Sequence, residues 1–199
     1  MYNITINMID IITNIVTIQS GYHFKEKIEN DKMGAIQFIQ LKDIDEYNRI
    51  DYSNLLRNNL PNIRSTQLLE KCDILIKCRG ISFTSAVVDI SIENAVATSH
   101  FFVLRIKDRN LIIPEYLSWF LNDAPTQRII KTGTGGTYMQ VLNKKFLENL
   151  EIQIPSIALQ QKVVKMKFLN EHEQMLLNKK VELKKLLIDL QLRKIINKG

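Results

Sequence analysis

The sequence is poor in the residues that build linkers, collagen-like repeats and disulfide scaffolds. Its 199 residues include 7 glycines, 4 prolines and 2 cysteines, and no internal repeat occurs. Such a composition excludes a collagen-like, linker-rich or disulfide-stapled protein. Cys72 and Cys78 are separated by five residues with no histidine nearby, a spacing that does not match a zinc site. Both are expected to be ordinary, partly buried thiols.

Long apolar runs are also missing. No stretch of eighteen apolar residues occurs, so no membrane span is predicted. The first eighteen residues contain Asn3, Asn7 and Asp10 and no basic start, unlike a signal peptide. The chain is therefore expected to stay in the cytoplasm.

Catalytic motifs are absent as well. His23, His100 and His172 are far apart and share no metal-ligand spacing. The glycine-rich segment 132–137 lacks the lysine and serine or threonine of a phosphate-binding P-loop, and a mobile loop is predicted there. No Gly-x-Ser-x-Gly elbow occurs. We expect no catalytic residue, metal site or cofactor in this chain.

What the sequence does contain is a globular composition with interspersed strand and helix patterns. Apolar residues make up 45% and charged residues 24%, which is typical of a folded protein. Mixed elements of this kind predict an α/β (mixed α+β) globule with a sheet. Strands are predicted at 35–41, 73–77, 86–90, 101–106 and 151–154, helices at 114–121, 126–131 and 143–150, and a short helix or loop at 51–61.

The last forty-odd residues form one continuous helical pattern that follows Pro155, with Ser156 as the candidate N-cap. A helix of forty residues is about 60 Å long. Leucines recur in it at seven-residue intervals, and burying each would contribute roughly 1.5–3 kcal/mol. A partner helix is expected, although a helix packed back along its own domain is the alternative. The predicted dimerisation seam consists of Met166, Leu169, Leu176, Leu183, Leu187 and Leu190.

The net charge of +6 makes a polyanionic partner plausible. Several predicted loops combine basic, aromatic and polar side chains, which suit phosphates and base edges. Ordinary surface loops are the alternative interpretation. The candidate DNA-binding residues are Tyr22, Lys25, Lys27, Arg57, Arg64, Lys77, Arg79, Lys131, Thr137 and Tyr138.

The order of several short motifs resembles the DNA-specificity subunit of type I restriction-modification systems. The resemblance covers nearly the whole chain and ends in the long helix. The matching motifs are Gly21-Tyr22-His23-Phe24, Asp73-Ile74-Leu75-Ile76 leading to Arg79-Gly80, Ile113-Pro114-Glu115-Tyr116-Leu117, Gly133-Thr134-Gly135-Gly136, Leu142, Leu147-Glu148-Asn149-Leu150, Ile152-Gln153-Ile154-Pro155 and Gln160.

The resemblance implies a target-recognition domain at 1–155 and a spacer or dimerisation helix at 156–199. In the family, two such units occur in tandem, and their helices pack antiparallel as a coiled coil. Each domain reads one half of a split site in double-stranded DNA. The assembly docks methyltransferase and restriction subunits, which hold S-adenosylmethionine, ATP and magnesium. This chain resembles one unit, so its partner is expected to be a second copy or the second half of a specificity subunit.

Three hypotheses follow. The first is a non-catalytic DNA-reading subunit of a type I restriction-modification complex. The second is a coiled-coil adaptor or interaction protein with no DNA-reading role. The third, least supported by the residues, is a stand-alone enzyme that uses the glycine-rich segment 133–137.

Overall fold

A computed structural model describes residues 8–24, 29–59, 63–136 and 139–197. The chain divides into two compact units, Met1–Gln161 and Lys162–Gly199. The predicted domain boundary after Pro155 therefore differs from the division into units, which falls after Gln161. The long helix spans forty residues, Ile157–Ile196, so its first residues belong to the first unit and the rest forms the second.

The first unit is a mixed α/β fold, and the predicted fold class, such a domain followed by a long helix, is confirmed. Its described elements, in chain order, are β1 (Met8–Ile11), α1 (Ile12–Ile15), β2 (Val16–Ser20), β3 (Ile36–Ile39), β4 (Leu56–Asn58), β5 (Ile74–Lys77), β6 (Ser85–Val87), β7 (Ala95–Ala97), β8 (Phe101–Ile106), α2 (Pro114–Asn122), α3 (Ala124–Thr132), β9 (Thr134–Gly135), β10 (Val141–Leu142), α4 (Lys144–Glu148) and β11 (Glu151–Ile154). The long helix is α5 (Ile157–Ile196).

Two sheets contain most of the strands. The larger sheet has the order β2-β8-β5-β6 and is antiparallel, with Leu104 of β8 opposite both Ile18 and Ile74. The smaller has the order β4-β3-β7, in which β3 is antiparallel to β4 and parallel to β7. Strand β5 is almost wholly apolar because it is central and buried on both faces. The buried side chains of both sheets form the core of this unit.

Several elements differ from the sequence prediction, including β1, α1 and β2, for which no strand or helix was predicted. The segment 51–61, predicted as a short helix or loop, contains strand β4, which pairs with β3. Strand β7 was not predicted, since three residues including two alanines give no strand periodicity, and only its pairing with β3 makes it extended. Within the predicted mobile loop at 132–137, Thr134 and Gly135 form β9, which pairs with β10.

Gln160, in the first turn of α5, is completely buried. Its side-chain oxygen accepts a hydrogen bond from the Ile113 amide at 2.9 Å. Its amide nitrogen donates to the carbonyls of Leu111 at 2.9 Å and Pro155 at 2.8 Å. One side chain thus provides partners for three backbone groups in buried or partly buried surroundings, which explains an amide at this position.

The Gln160→Leu substitution is expected to lower the free energy of unfolding by about 2–4 kcal/mol, because it leaves three backbone groups unsatisfied. Chemical denaturation of the purified chain measures the change. The exposed neighbour Gln161 provides the control, and Gln161→Leu should change stability by less than about 0.5 kcal/mol. Equal stability of the two variants would show that the buried hydrogen bonds contribute nothing.

Candidate nucleic-acid interface

Four strands of the first unit end at the same edge. Strands β2 and β5 are each antiparallel to β8, so they run in one direction. Strands β3 and β7 are parallel to each other. A parallel bridge between Tyr22, which follows β2, and Thr98, which follows β7, joins the two sets. The residues that follow β2, β3, β5 and β7 therefore meet beside the start of β8.

A cleft of about 510 Å³ lies at this edge, and we call it the strand-end cleft. Its lining combines cationic, imidazole, amide, hydroxyl and aromatic groups, and none of its described residues carries a carboxylate. The lining residues are His23, Phe24, Gln40, Leu41, Lys42, Arg79, Thr98, Ser99 and His100. The Thr98 hydroxyl is buried and has no hydrogen-bond partner within the described part of the chain. Such a surface is rich in donors and suits an anionic, hydrogen-bonding ligand.

The first wall of the cleft depends on Gly21. A Cβ at this glycine would lie 2.1 Å from the Thr98 carbonyl oxygen, so only glycine permits this close approach. The Tyr22 amide donates to the Ala97 carbonyl at 2.7 Å. Phe24 then packs edge-on against the buried Phe38, with ring centroids 5.1 Å apart. These contacts explain why the Gly-Tyr-His-Phe motif forms a fixed wall.

The opposite wall is the segment that follows β5. The Cys78 amide donates to the His100 carbonyl at 2.8 Å, and the Cys78 carbonyl accepts from the Leu142 amide at 2.9 Å. Burial raises the pKa of the Cys78 thiol to about 11, so the group stays protonated at neutral pH and serves packing. Burial also lowers the pKa of the Lys77 ammonium, an effect that Asp45 opposes. Arg79, at the cleft, is the better placed of the two cations for a ligand.

The structure gathers only part of the predicted DNA-binding set. Tyr22 and Lys77 lie in the two walls, and Arg79 lines the cleft. Arg57 instead lines a separate cavity of about 210 Å³ on the smaller sheet. Arg64 precedes a short 3-10 turn, and Lys131 is in the last turn of α3. Lys25, Lys27, Thr137 and Tyr138 lie outside the described residues.

Sequence reasoning missed Gln40, Lys42 and His100 as members of the site. Gln40 directly follows β3, Lys42 lies in the 3-10 turn after it, and His100 directly precedes β8, so position near the end of a predicted strand was an available signal. That signal becomes useful only when the strand directions are known, because those directions decide which strand ends meet.

Charge is distributed unevenly along the chain. Residues 1–156 contain 17 Lys and Arg against 17 Asp and Glu, whereas α5 contains nine basic and four acidic residues. The net charge of +6 is therefore not a property of the first unit. Any attraction of that unit to an anion has to come from the local grouping of cations, as in the strand-end cleft.

In α5, the predicted seam residues are between about half and three quarters exposed, with Leu183 at 54% and Met166 at 72%. A second apolar row, Val181, Ile188 and Ile195, also recurs at seven-residue intervals and is exposed. Exposed leucines in such numbers favour association with another helix.

No group of three or more His, Cys, Asp or Glu side chains among the described residues could hold a metal ion. No helix of the described ranges is both long and apolar enough to cross a membrane.

Comparisons with solved structures show the same fold in type I restriction-modification proteins. The S subunit from M. genitalium matches at 14% identity with a TM-score of 0.56, covering 83% of this chain and 39% of that one. The HsdS subunit from Thermoanaerobacter tengcongensis matches at 14% identity and a TM-score of 0.58, covering 84% and 37%. A structure that concerns complex assembly and conformational transition of the type I R-M system matches at 15% identity with a TM-score of 0.64. This match covers 86% of the present chain and 40% of the solved one.

The present chain thus spans about two fifths of the length of these solved chains. No curated protein matches it. The model of the type I restriction modification DNA specificity domain matches residues 11–185, which include most of both units. The chain therefore belongs to the type I restriction-modification DNA specificity family.

Proposed function

We propose that the chain is a non-catalytic subunit that recognises double-stranded DNA for a type I restriction-modification complex. The observation that carries the proposal is the strand-end cleft, whose donor-rich lining lies in a domain that the family model matches. A cationic concavity fits the convex sugar-phosphate ridge of a duplex better than it fits the interior of a groove. Lys42 and Arg79 would hold phosphates there, and the Gln40 amide could donate a further hydrogen bond to a phosphate oxygen.

The helix α5 completes the proposal, because one domain of this size can read only one half of a split site. Its exposed leucines would pair with the helix of a second copy, or of the second half of a specificity subunit. If the pair is symmetric, the site is expected to be a palindrome with an unread central spacer. Methyltransferase and restriction subunits would dock on this assembly and supply S-adenosylmethionine, ATP and magnesium chemistry.

Replacing both cleft cations is expected to weaken DNA binding about tenfold for each charge, the loss that one charge-assisted hydrogen bond produces. Because phosphate contacts release counterions, the double variant Lys42→Gln with Arg79→Gln should also lower the slope of log K against log salt by about two. Fluorescence anisotropy, with duplexes selected from a random pool and titrated at several salt concentrations, measures both quantities.

The control is Arg109→Gln. Arg109 follows the carboxyl end of β8, whereas the cleft lies at the amino end of that strand, so this cation is at the opposite edge of the sheet. Its loss should change neither affinity nor salt slope appreciably. Selection that enriches no sequence, or cleft variants that bind as tightly as the control, would contradict the proposal.

A coiled-coil adaptor without a DNA-reading role is the second candidate. The observation in its favour is the neutral charge balance of residues 1–156 beside the exposed apolar rows of α5. Helix-mediated association without duplex binding at low salt, where electrostatic attraction is strongest, would favour the adaptor.

A further inference from the structure

The turn after β5 exposes a large apolar side chain. Ile81 is 90% exposed and directly follows Arg79 and Gly80. Leaving isoleucine in water forgoes the stabilisation that burial would provide. A single exposed isoleucine would need no explanation by itself, but this one projects beside the strand-end cleft from a constrained backbone.

The backbone of this turn is held by hydrogen bonds to the segment that contains β10. The Gly80 amide donates to the Gln140 carbonyl at 3.0 Å, and the Leu142 amide donates to the Cys78 carbonyl at 2.9 Å. An antiparallel bridge pairs Arg79 with Val141. Gly80 has a φ of +116°, in the left-handed region that favours glycine. Ile81 therefore projects from a fixed turn, and its branched Cβ restricts its own rotamers.

The residues around this turn indicate which part of a ligand the Ile81 side chain would contact. Met139 and Val141, on the paired segment, are 56% and 40% exposed, so the turn and its paired segment carry three exposed apolar side chains, which we call the apolar tip. Arg79, which lines the cleft, is two residues from Ile81, and their Cα atoms are at most about 7 Å apart. If Arg79 holds a phosphate, a tip at this distance reaches the neighbouring major groove, which is about 12 Å wide.

We propose that Ile81 contacts the 5-methyl group of a pyrimidine in the major groove and thereby determines one position of the target sequence. This inference rests on the proposed DNA-reading function. An isoleucine side chain can donate or accept no hydrogen bond, and the thymine methyl is the apolar group on the major-groove edge of unmodified DNA. The 5-methyl of 5-methylcytosine offers the same chemistry, so both sources have to be tested.

The test uses the full chain and its selected duplex, with each thymine replaced in turn by deoxyuridine, which lacks only the methyl. Burial of one methyl group changes affinity about fourfold. The wild-type chain should therefore lose about fourfold at one thymine, and Ile81→Ala should bind the thymine and uracil duplexes equally. A parallel series replaces each cytosine by 5-methylcytosine, where a fourfold gain that Ile81→Ala abolishes would identify the other source.

Met33→Ala is the matched control, because Met33 is 89% exposed on a different turn. It should keep the thymine preference unchanged. Wild-type binding that is insensitive to every methyl, or full discrimination in Ile81→Ala, would overturn the inference. A uniform loss of affinity in Ile81→Ala with discrimination retained would also overturn it. Absence of any sequence-selective binding by the wild-type chain would instead overturn the proposed function.

Discussion

The Asp73→Ala substitution is expected to lower the free energy of unfolding by about 3 kcal/mol, the lower end of the cost of removing one partner from a buried ion pair, because the Arg105 side chain is 25% exposed. Asp73 is 1% exposed, and its carboxylate accepts two hydrogen bonds from Arg105, each 2.8 Å long. A third comes from the Glu70 amide at 2.8 Å. Without the carboxylate, the Arg105 guanidinium would lose both bonds of its bidentate pair, and the Glu70 amide would lose its acceptor.

Glu70 offers a control on the same arginine. Its carboxylate lies 2.6 Å from the Arg105 guanidinium, but the side chain is 60% exposed, so water screens the pair. Glu70→Ala should therefore cost less than about 1 kcal/mol. Urea denaturation followed by circular dichroism compares the variants. Similar losses from the two substitutions would mean that burial adds nothing to this ion pair.

The strands and the long helix differ in how well the sequence predicts them. Strands β5 and β8 were predicted because each is a run of buried apolar residues, and the long helix because its pattern extends over forty residues. Strands β4 and β7 have three residues each, and their conformation depends on pairing with β3 rather than on local propensity.

In the candidate site, too, some residues could be predicted from the local sequence, whereas others depend on the pairing of distant strands. Arg79 was identified from its residue type in a predicted loop, whereas Gln40 and His100 offer only their positions at strand ends as a local signal. They join Arg79 only because β3 and β5 end at the edge where β8 begins, and strand pairing over long sequence separations sets that arrangement. Arg57 was grouped with the site by chemistry, yet β4 places it at a different cavity.

Charged residues in the leucine seam of α5 are expected to abolish helix-mediated association. In a symmetric pair, Leu183→Lys with Leu190→Lys removes four buried leucines, each contributing roughly 1.5–3 kcal/mol. The dissociation constant should therefore rise more than about a thousandfold, since each 1.4 kcal/mol changes it tenfold. Sedimentation equilibrium over a range of chain concentrations measures it. A wild-type chain that stays monomeric at the highest concentrations would contradict pairing with a second copy.

The control changes the other apolar row, with Ile188→Lys and Ile195→Lys. Both pairs of residues are exposed and lie in the same region of α5, so helix propensity and net charge change comparably. If the predicted seam is correct, only the leucine variant becomes monomeric. Its affinity for DNA that carries both half-sites should also fall roughly 10²–10⁴-fold, because it loses simultaneous contact with the two half-sites. Its binding to a single half-site should stay unchanged, because the strand-end cleft lies within the first unit. Dissociation by the isoleucine variant alone would instead assign pairing to the second row.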